Sequence, residues 1–334
     1  VLTAPDDLAG EDIRDALRVG WGFAASSLEY QPVGFGSHHW LAAARGARLF
    51  VTVDDLAAKL RTAHDSADDA FSRLAAAFAT ALSLHQDAQL AFVVAPKQDS
   101  GGRVLHRLKD RYSLVVHPYV PGSQVGEGGE FQTETERLAM LELLVEVHGA
   151  RSSVVRADDF VVPHRHELEL LLDDLAQPWN TGPYGERARS LLAAHARSVG
   201  VLLSTYDRLA TRVSARTERM VVTHGEPHAG NVMLTSEGFV LVDWDTALLA
   251  PPERDLWDLC QGHAGVLDAY AMATGTALDQ EALSLYRLWY DLAEIGGYLG
   301  LFRAPHTGTA DAAQSWTNLW HFLQPALRWP QLFT

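Results

Sequence analysis

Residues 220–243 interrupt a mostly helical stretch with short apolar strands. "NVML" and "FVLV" flank "TSEG", a turn ending in Gly238, which has the form of a β-hairpin. Ahead of it, "VVT" breaks into "HGEPHAGN", with two histidines, a glutamate, two glycines and an asparagine, before the apolar pattern resumes. Opposed residues of an antiparallel pair have a constant index sum. A turn centred near Glu237 therefore sets Asn231 opposite Asp243, with Cα atoms roughly 4.5–5.5 Å apart. An amide oxygen and a carboxylate then converge, both hard oxygen donors of the kind Mg²⁺ takes. Glu226 lies in the loop feeding the same hairpin, where a second carboxylate suits a general base or an orienting group. Asn and Asp are each ordinary at strand ends; the set His224, Glu226, Asn231 and Asp243 is what points to a site. His224 and His228 have zinc spacing only on a helix, which Gly225 and Pro227 disfavour.

The rest of the chain divides by periodicity. Residues 8–19 read as a short amphipathic helix. "LEYQPVGFGSHHWLAAA" and "ARLFVTV" read as strands, with Gly34 and Gly36 at a tight bend. Apolar residues from Ala67 to Leu82 recur at helical spacing, with Ser66 and Asp69 as a capping pair. "LAFVVA" and "YSLVVHPYV" read as two further strands. Residues 1–115 thus form a small α+β lobe with a mostly antiparallel sheet. "HPYVPGSQVGEGGE" reads as a linker. Helices follow: one ending near Gly149, then 165–176, 186–212, 254–274, 280–303 and 311–324, with strands at 220–243.

The length of 334 residues suits two lobes. A net charge of −15 argues against non-specific binding to nucleic acid or an anionic membrane, and is compatible with a cationic ligand. One cysteine, Cys260, excludes an intrachain disulfide and suits a reducing compartment. No signal peptide or run of about 18 apolar residues is legible, so a cytoplasmic protein is expected. Arginine supplies nearly all the positive charge; the lysines are Lys59, Lys97 and Lys109.

"HGEPHAGN…VDWD" resembles the catalytic and metal loops of the aminoglycoside phosphotransferases, which share the protein-kinase-like fold. "HAGN", "DWD" and "LAPPERDL" together look most like the spectinomycin phosphotransferase branch. The resemblance extends to "PVGFGSHHW", "SLVVHPYVPG" and "LLVEVHG", and so covers nearly the whole chain. It implies a two-lobed α+β fold: a nucleotide-binding N-lobe over 1–115, a hinge at 116–122 and a helical C-lobe over 123–334. By the same resemblance Asn231 and Asp243 would bind Mg²⁺, Glu226 would orient the acceptor hydroxyl, and His224 would brace the loop. Gly34, Gly36 and Ser37 would lie over the phosphates of ATP or GTP, and backbone groups of His117 and Tyr119 would meet the base. Asp255 would anchor its loop. The implied activity is O-phosphotransfer to an aminocyclitol, an aminoglycoside or another antibiotic-like acceptor, cationic or sugar-like. Trp244, Asp245, Trp257, Asp258, Trp289 and Glu294 are the acceptor-side candidates, because aromatic faces with carboxylates suit such a ligand. A kinase of choline- or homoserine-like metabolites is a further possibility on the same fold.

Two positions depart from the family pattern. Glu226 stands where the family has an aspartate, which moves the carboxylate by about one C–C bond, a scale to which near-attack geometry responds. Thr52 stands where the strand lysine belongs. Lys59, Arg45, Arg48 and Arg61 are candidate replacements for that cation, and Asp68 and Asp69 for its helical carboxylate partner. Together the departures also suit a degenerate kinase-like protein that binds without turnover.

Overall fold

The computed structural model describes residues 1–34, 36–126 and 130–333. Phe35 of the expected phosphate loop and residues 127–129 of the expected linker lie outside the described residues.

The N-terminal part holds α1 (Gly10–Trp21), β1 (Ser27–Gln31), β2 (His38–Ala44), β3 (Ala47–Asp55), α2 (Ala67–Gln86), β4 (His106–Leu108) and β5 (Tyr112–Pro118). The strands form an antiparallel sheet in the order β1-β2-β3-β5-β4. Strand alternation gives it two unlike faces. Leu49, Val51 and Val53 of β3, with Trp40, Leu114 and Val116, pack into one apolar cluster with Ile13 and Leu17 of α1. The other residues of β3 share a face with their cross-strand partners: Phe50 with His117, Thr52 with His39, and Asp54 with Ser113. That face is rich in polar groups, and Phe78 of α2 meets the His117 ring edge-on at 5.8 Å.

Downstream lie β6 (Ser123–Gln124), α3 (Glu134–Gly149), α4 (Arg165–Asp173), α5 (Gly185–Val213), β7 (Val221–Thr223), β8 (Val232–Thr235), β9 (Gly238–Leu241), β10 (Leu248–Ala250), α6 (Glu253–Leu256), α7 (Ala264–Thr274), α8 (Gln280–Arg303), α9 (Ala310–Phe322) and α10 (Pro325–Arg328). α3 starts at a capping box: Thr133 accepts from the Glu136 amide, and the Glu136 carboxylate accepts from the Thr133 amide. Met140, Leu141 and Leu144 of α3 join Ala81, Val222, Val232, Leu241 and Trp244 in a second core.

By packing, the chain forms two compact units. The first comprises 1–59, 67–159 and 217–283; the second comprises 60–66, 160–216 and 284–334. These boundaries differ from a simple cut at a hinge. In the second unit, Tyr184 stacks on His306 and Trp316, beside Phe302. No described helix is long and apolar enough to cross a membrane.

Three element expectations need correction. "LAFVVA" is not a strand: Val93 makes only a single parallel bridge to Leu241, flanked by Val94 N–H to the Leu241 carbonyl at 2.9 Å. The 254–274 helix is broken into α6 and α7, because Gly262 takes a left-handed φ of 76° before His263 restarts the helix. Part of the expected linker is β6, which pairs with β8.

Candidate active site

The loop after β7 is held from behind by buried polar groups. His224 is fully buried, and its backbone N–H donates to the Asp255 carboxylate at 2.8 Å. Its Nε2 donates to the Val242 carbonyl at 2.8 Å, and its Nδ1 accepts the Glu226 N–H at 3.3 Å. These partners fix the neutral Nε2–H tautomer, and burial holds its pKa below the ordinary histidine value. Asp255 also accepts from the Gly225 N–H at 2.6 Å and pairs with His148 Nε2 at 3.1 Å. Burial opposes its charge, but His148, with Arg254 and His224 adding, keeps its carboxyl below the usual range. Arg254 clamps the loop's flanks, donating to Thr223 Oγ1 and to the Thr246 carbonyl, each at 2.9 Å. Gly225, at φ 105°, is required where it sits: a Cβ there would come 2.5 Å from the Arg254 guanidinium.

The hairpin register differs from expectation by one residue. Val232 pairs with Leu241 and Thr235 with Gly238, so Ser236 and Glu237 alone form the turn. Asn231 then faces Val242, whose N–H donates to the Asn231 carbonyl at 3.0 Å. Asp243 follows at φ 64°, where the chain leaves the strand line. Asn231 Nδ2 donates to the Glu226 carbonyl at 2.9 Å, which leaves its amide oxygen as the group a cation can take. Asp243 is exposed to solvent at the edge of the carboxylate cluster formed with Asp245, Glu226 and Asp54. Loss of bulk water, then the carboxylates of Asp245, Glu226 and Asp54, raise its pKa well above the usual value against the opposing field of Lys59. A crowd of carboxylates that disfavours the ionisation of one of them is a site that a divalent cation would relieve. The donor chemistry fits Mg²⁺, which takes one or two protein carboxylates and completes its shell from phosphates and water.

Among the candidate replacements for the strand lysine, Lys59 lies beside the carboxylates of this site. Its Nζ lies 2.8 Å from Asp245 Oδ2 and 3.2 Å from Asp54 Oδ1, and its side chain is 21% exposed. Burial disfavours its charge, but Asp245, Asp54 and, further off, Asp243 more than offset this and hold its pKa well above the ordinary lysine value. A Cβ on Gly36 would lie 3.9 Å from this ammonium, which therefore sits against the glycine-rich turn. The other candidates are engaged elsewhere: Arg48 stacks over the Tyr119 ring at 3.8 Å and Arg61 donates to the Val161 carbonyl at 3.0 Å. Arg45 lies at the β2–β3 turn. Thr52 binds His39 Nδ1 at 3.2 Å, and Asp68 of α2 pairs with Arg107 rather than with a lysine.

A cation against a glycine turn, facing a carboxylate cluster and a braced loop, is an arrangement that comparison with known proteins can place. The model of the APH phosphotransferase enzyme family matches residues 40–298. The chain belongs to that family. Protein StrN of Streptomyces griseus is 34% identical over 248 residues, covering 70% of this chain and 72% of StrN. Among solved structures, spectinomycin phosphotransferase APH(9)-Ia in complex with ADP and spectinomycin is similar with a TM-score of 0.72 at 16% identity, covering 96% of this chain and 98% of that one. Choline kinase LicA from Streptococcus pneumoniae is similar with a TM-score of 0.54 at 13% identity, covering 94% and 98%. The fold is therefore the kinase-like one shared by antibiotic and small-metabolite kinases.

The remaining expected residues divide. Ser37 is buried and donates to Asp54 Oδ1 at 2.6 Å. His117 lies in β5, and burial lowers its pKa to about 4. Trp244 is not placed to meet an acceptor: it is fully buried, donates to the Leu241 carbonyl and packs against the His224 ring at 4.5 Å. Trp257 is partly buried against the second core, and Asp258 is exposed, within electrostatic reach of His228. In the second unit, Trp289 Nε1 donates to the Val161 carbonyl at 2.9 Å, and burial raises the pKa of Glu294. Sequence reasoning missed Asp54. Its one signal was a carboxylate two residues beyond Thr52 on the same face of an interior strand.

Proposed function

We propose that this chain is a small-molecule O-phosphotransferase that moves the γ-phosphoryl of ATP or GTP to a hydroxyl of an aminocyclitol, an aminoglycoside or another antibiotic-like acceptor. The observation that carries this reading is the placement of Lys59. A family position that lost its strand lysine to Thr52 has an ammonium supplied from the next loop, against Gly36 and 2.8 Å from Asp245. A protein that had given up nucleotide chemistry has no need of that replacement.

In this reading Lys59 binds phosphate oxygens, and Asn231 and Asp243 hold Mg²⁺. The metal, when bound, neutralises charge on the phosphates. Glu226 orients the acceptor hydroxyl and takes its proton as the oxygen attacks phosphorus, while the nucleoside diphosphate leaves. His224 and Asp255 act through the loop backbone and keep Glu226 in place. The spectinomycin complex of APH(9)-Ia supports an aminocyclitol as the first acceptor to try.

The test is release of nucleoside diphosphate with and without Mg²⁺ across aminocyclitols, aminoglycosides and amino alcohols such as choline. Metal-dependent release with an antibiotic-like acceptor supports the reading. Release only with amino alcohols moves the chain to the small-metabolite kinases. Tight nucleotide or acceptor binding with no release anywhere assigns it to the binding proteins.

A further inference from the structure

We infer that Asp54 is a positioning residue that holds the Lys59 ammonium at the nucleotide's phosphates. The cation of the site thus comes from the loop after β3, and its carboxylate partner stands on β3 itself. This rests on the nucleotide-using reading above.

Asp54 is fully buried. Its Oδ1 accepts from Ser37 Oγ at 2.6 Å and faces Lys59 Nζ at 3.2 Å, while its Oδ2 is buried with no hydrogen-bond partner among the described residues. A buried carboxylate with one oxygen unsatisfied is costly unless a cation compensates it. Lys59 is that cation. The same carboxylate grips Ser37 at the end of the glycine-rich turn, so one buried group ties that turn to the ammonium.

An ammonium has three donors. One donates to Asp245 at 2.8 Å, while Asp54 lies within ion-pair distance at 3.2 Å, which leaves donor capacity for a phosphate oxygen. α2 contributes a cation rather than a carboxylate: Arg73 donates to the Lys59 carbonyl at 3.1 Å and holds the backbone from which the side chain extends. Neither Thr52 nor Asp68 takes part in the pair.

Three lysines make the test clean. Wild type, Asp54→Asn, Lys59→Ala and the double variant are compared in two ways. One is ADP affinity in Mg²⁺ by calorimetry; the other is per-lysine acylation read by mass spectrometry, with Lys97 and Lys109 as internal references. Asp54→Asn is expected to weaken ADP binding about tenfold, to have no further effect once Lys59 is alanine, and to raise acylation of Lys59 alone. Ser37→Ala, which removes only the hydroxyl donor to Asp54, should shift both readouts the same way by less, again only when Lys59 is present; it keeps the test open if Asp54→Asn does not fold. Equal weakening with and without Lys59, or unchanged Lys59 acylation, overturns the inference. A wild type that binds no ADP overturns the nucleotide-using reading instead, and the acylation ratios still decide whether Asp54 holds Lys59.

Discussion

Replacing Glu226 with glutamine keeps the side chain's size, and Asn231 grips the backbone carbonyl of Glu226 rather than its carboxylate, so the loop contact survives. Glu226→Gln is therefore expected to lower kcat by about 10²–10⁴-fold, with ADP affinity nearly unchanged in calorimetry. Wild-type-like turnover would remove Glu226 from its assigned role. Lys59→Ala is expected to raise the nucleotide KM about tenfold or more, as loss of a charge-assisted contact predicts; steady-state kinetics at varied ATP checks it. The departure at Glu226 was visible in one residue of sequence. Lys59 was one of four candidate cations in the sequence; what the sequence did not carry was its partner Asp245, 186 residues away, which only the fold brings to it. Trp244 misled for a local reason. Next to Asp243 it reads as site-facing, but Asp243 has a positive φ, and Trp244 points into the core against His224.

The loop between β7 and β8 owes its shape to elements far along the chain. Asp255, at α6, accepts from two successive loop amides and from His148 of α3. Asp255→Ala leaves those buried donors without partners, and is expected to destabilise the chain by about 3 kcal/mol, read as a lower urea midpoint with an unchanged slope. The hairpin itself was legible, since its apolar strands and glycine-bearing turn carry the pattern of one. Its register was not, because "TSEG" admits a turn centred on Glu237 or between Ser236 and Glu237; the two-residue turn Ser236–Glu237 moved every pair by one residue and set Asn231 against Val242. Similarly, "LAFVVA" has the apolar content of a strand but finds only a single bridge to Leu241. Apolar content records burial and does not record whether a neighbouring strand is present to pair with.

For the molecule as a whole, the polar face of the N-terminal sheet couples folding to pH. His39 and His117 are each lowered to about 4, chiefly by burial, with Lys59 adding to the effect at His39. Between an unfolded value of about 6.5 and that folded value, the unfolded chain binds more protons. Stability is therefore full above about pH 6.5 and is lost as pH falls toward about 4. Melting temperature should drop across that window, and drop less in His39→Gln/His117→Gln. ADP should raise the melting point by mass action, about 2.7 kcal/mol at a hundredfold excess over Kd, with a Mg²⁺-dependent part that Asp243→Asn removes. The most direct test follows the phosphoryl group itself. With γ-labelled ATP, Mg²⁺ and an aminocyclitol or aminoglycoside panel, the label should move from ATP to an acceptor in the wild type and stay in ATP with Glu226→Gln. Label that stays in ATP or appears only as inorganic phosphate with every acceptor, in a wild type that binds nucleotide, would contradict a phosphotransferase acting on such compounds.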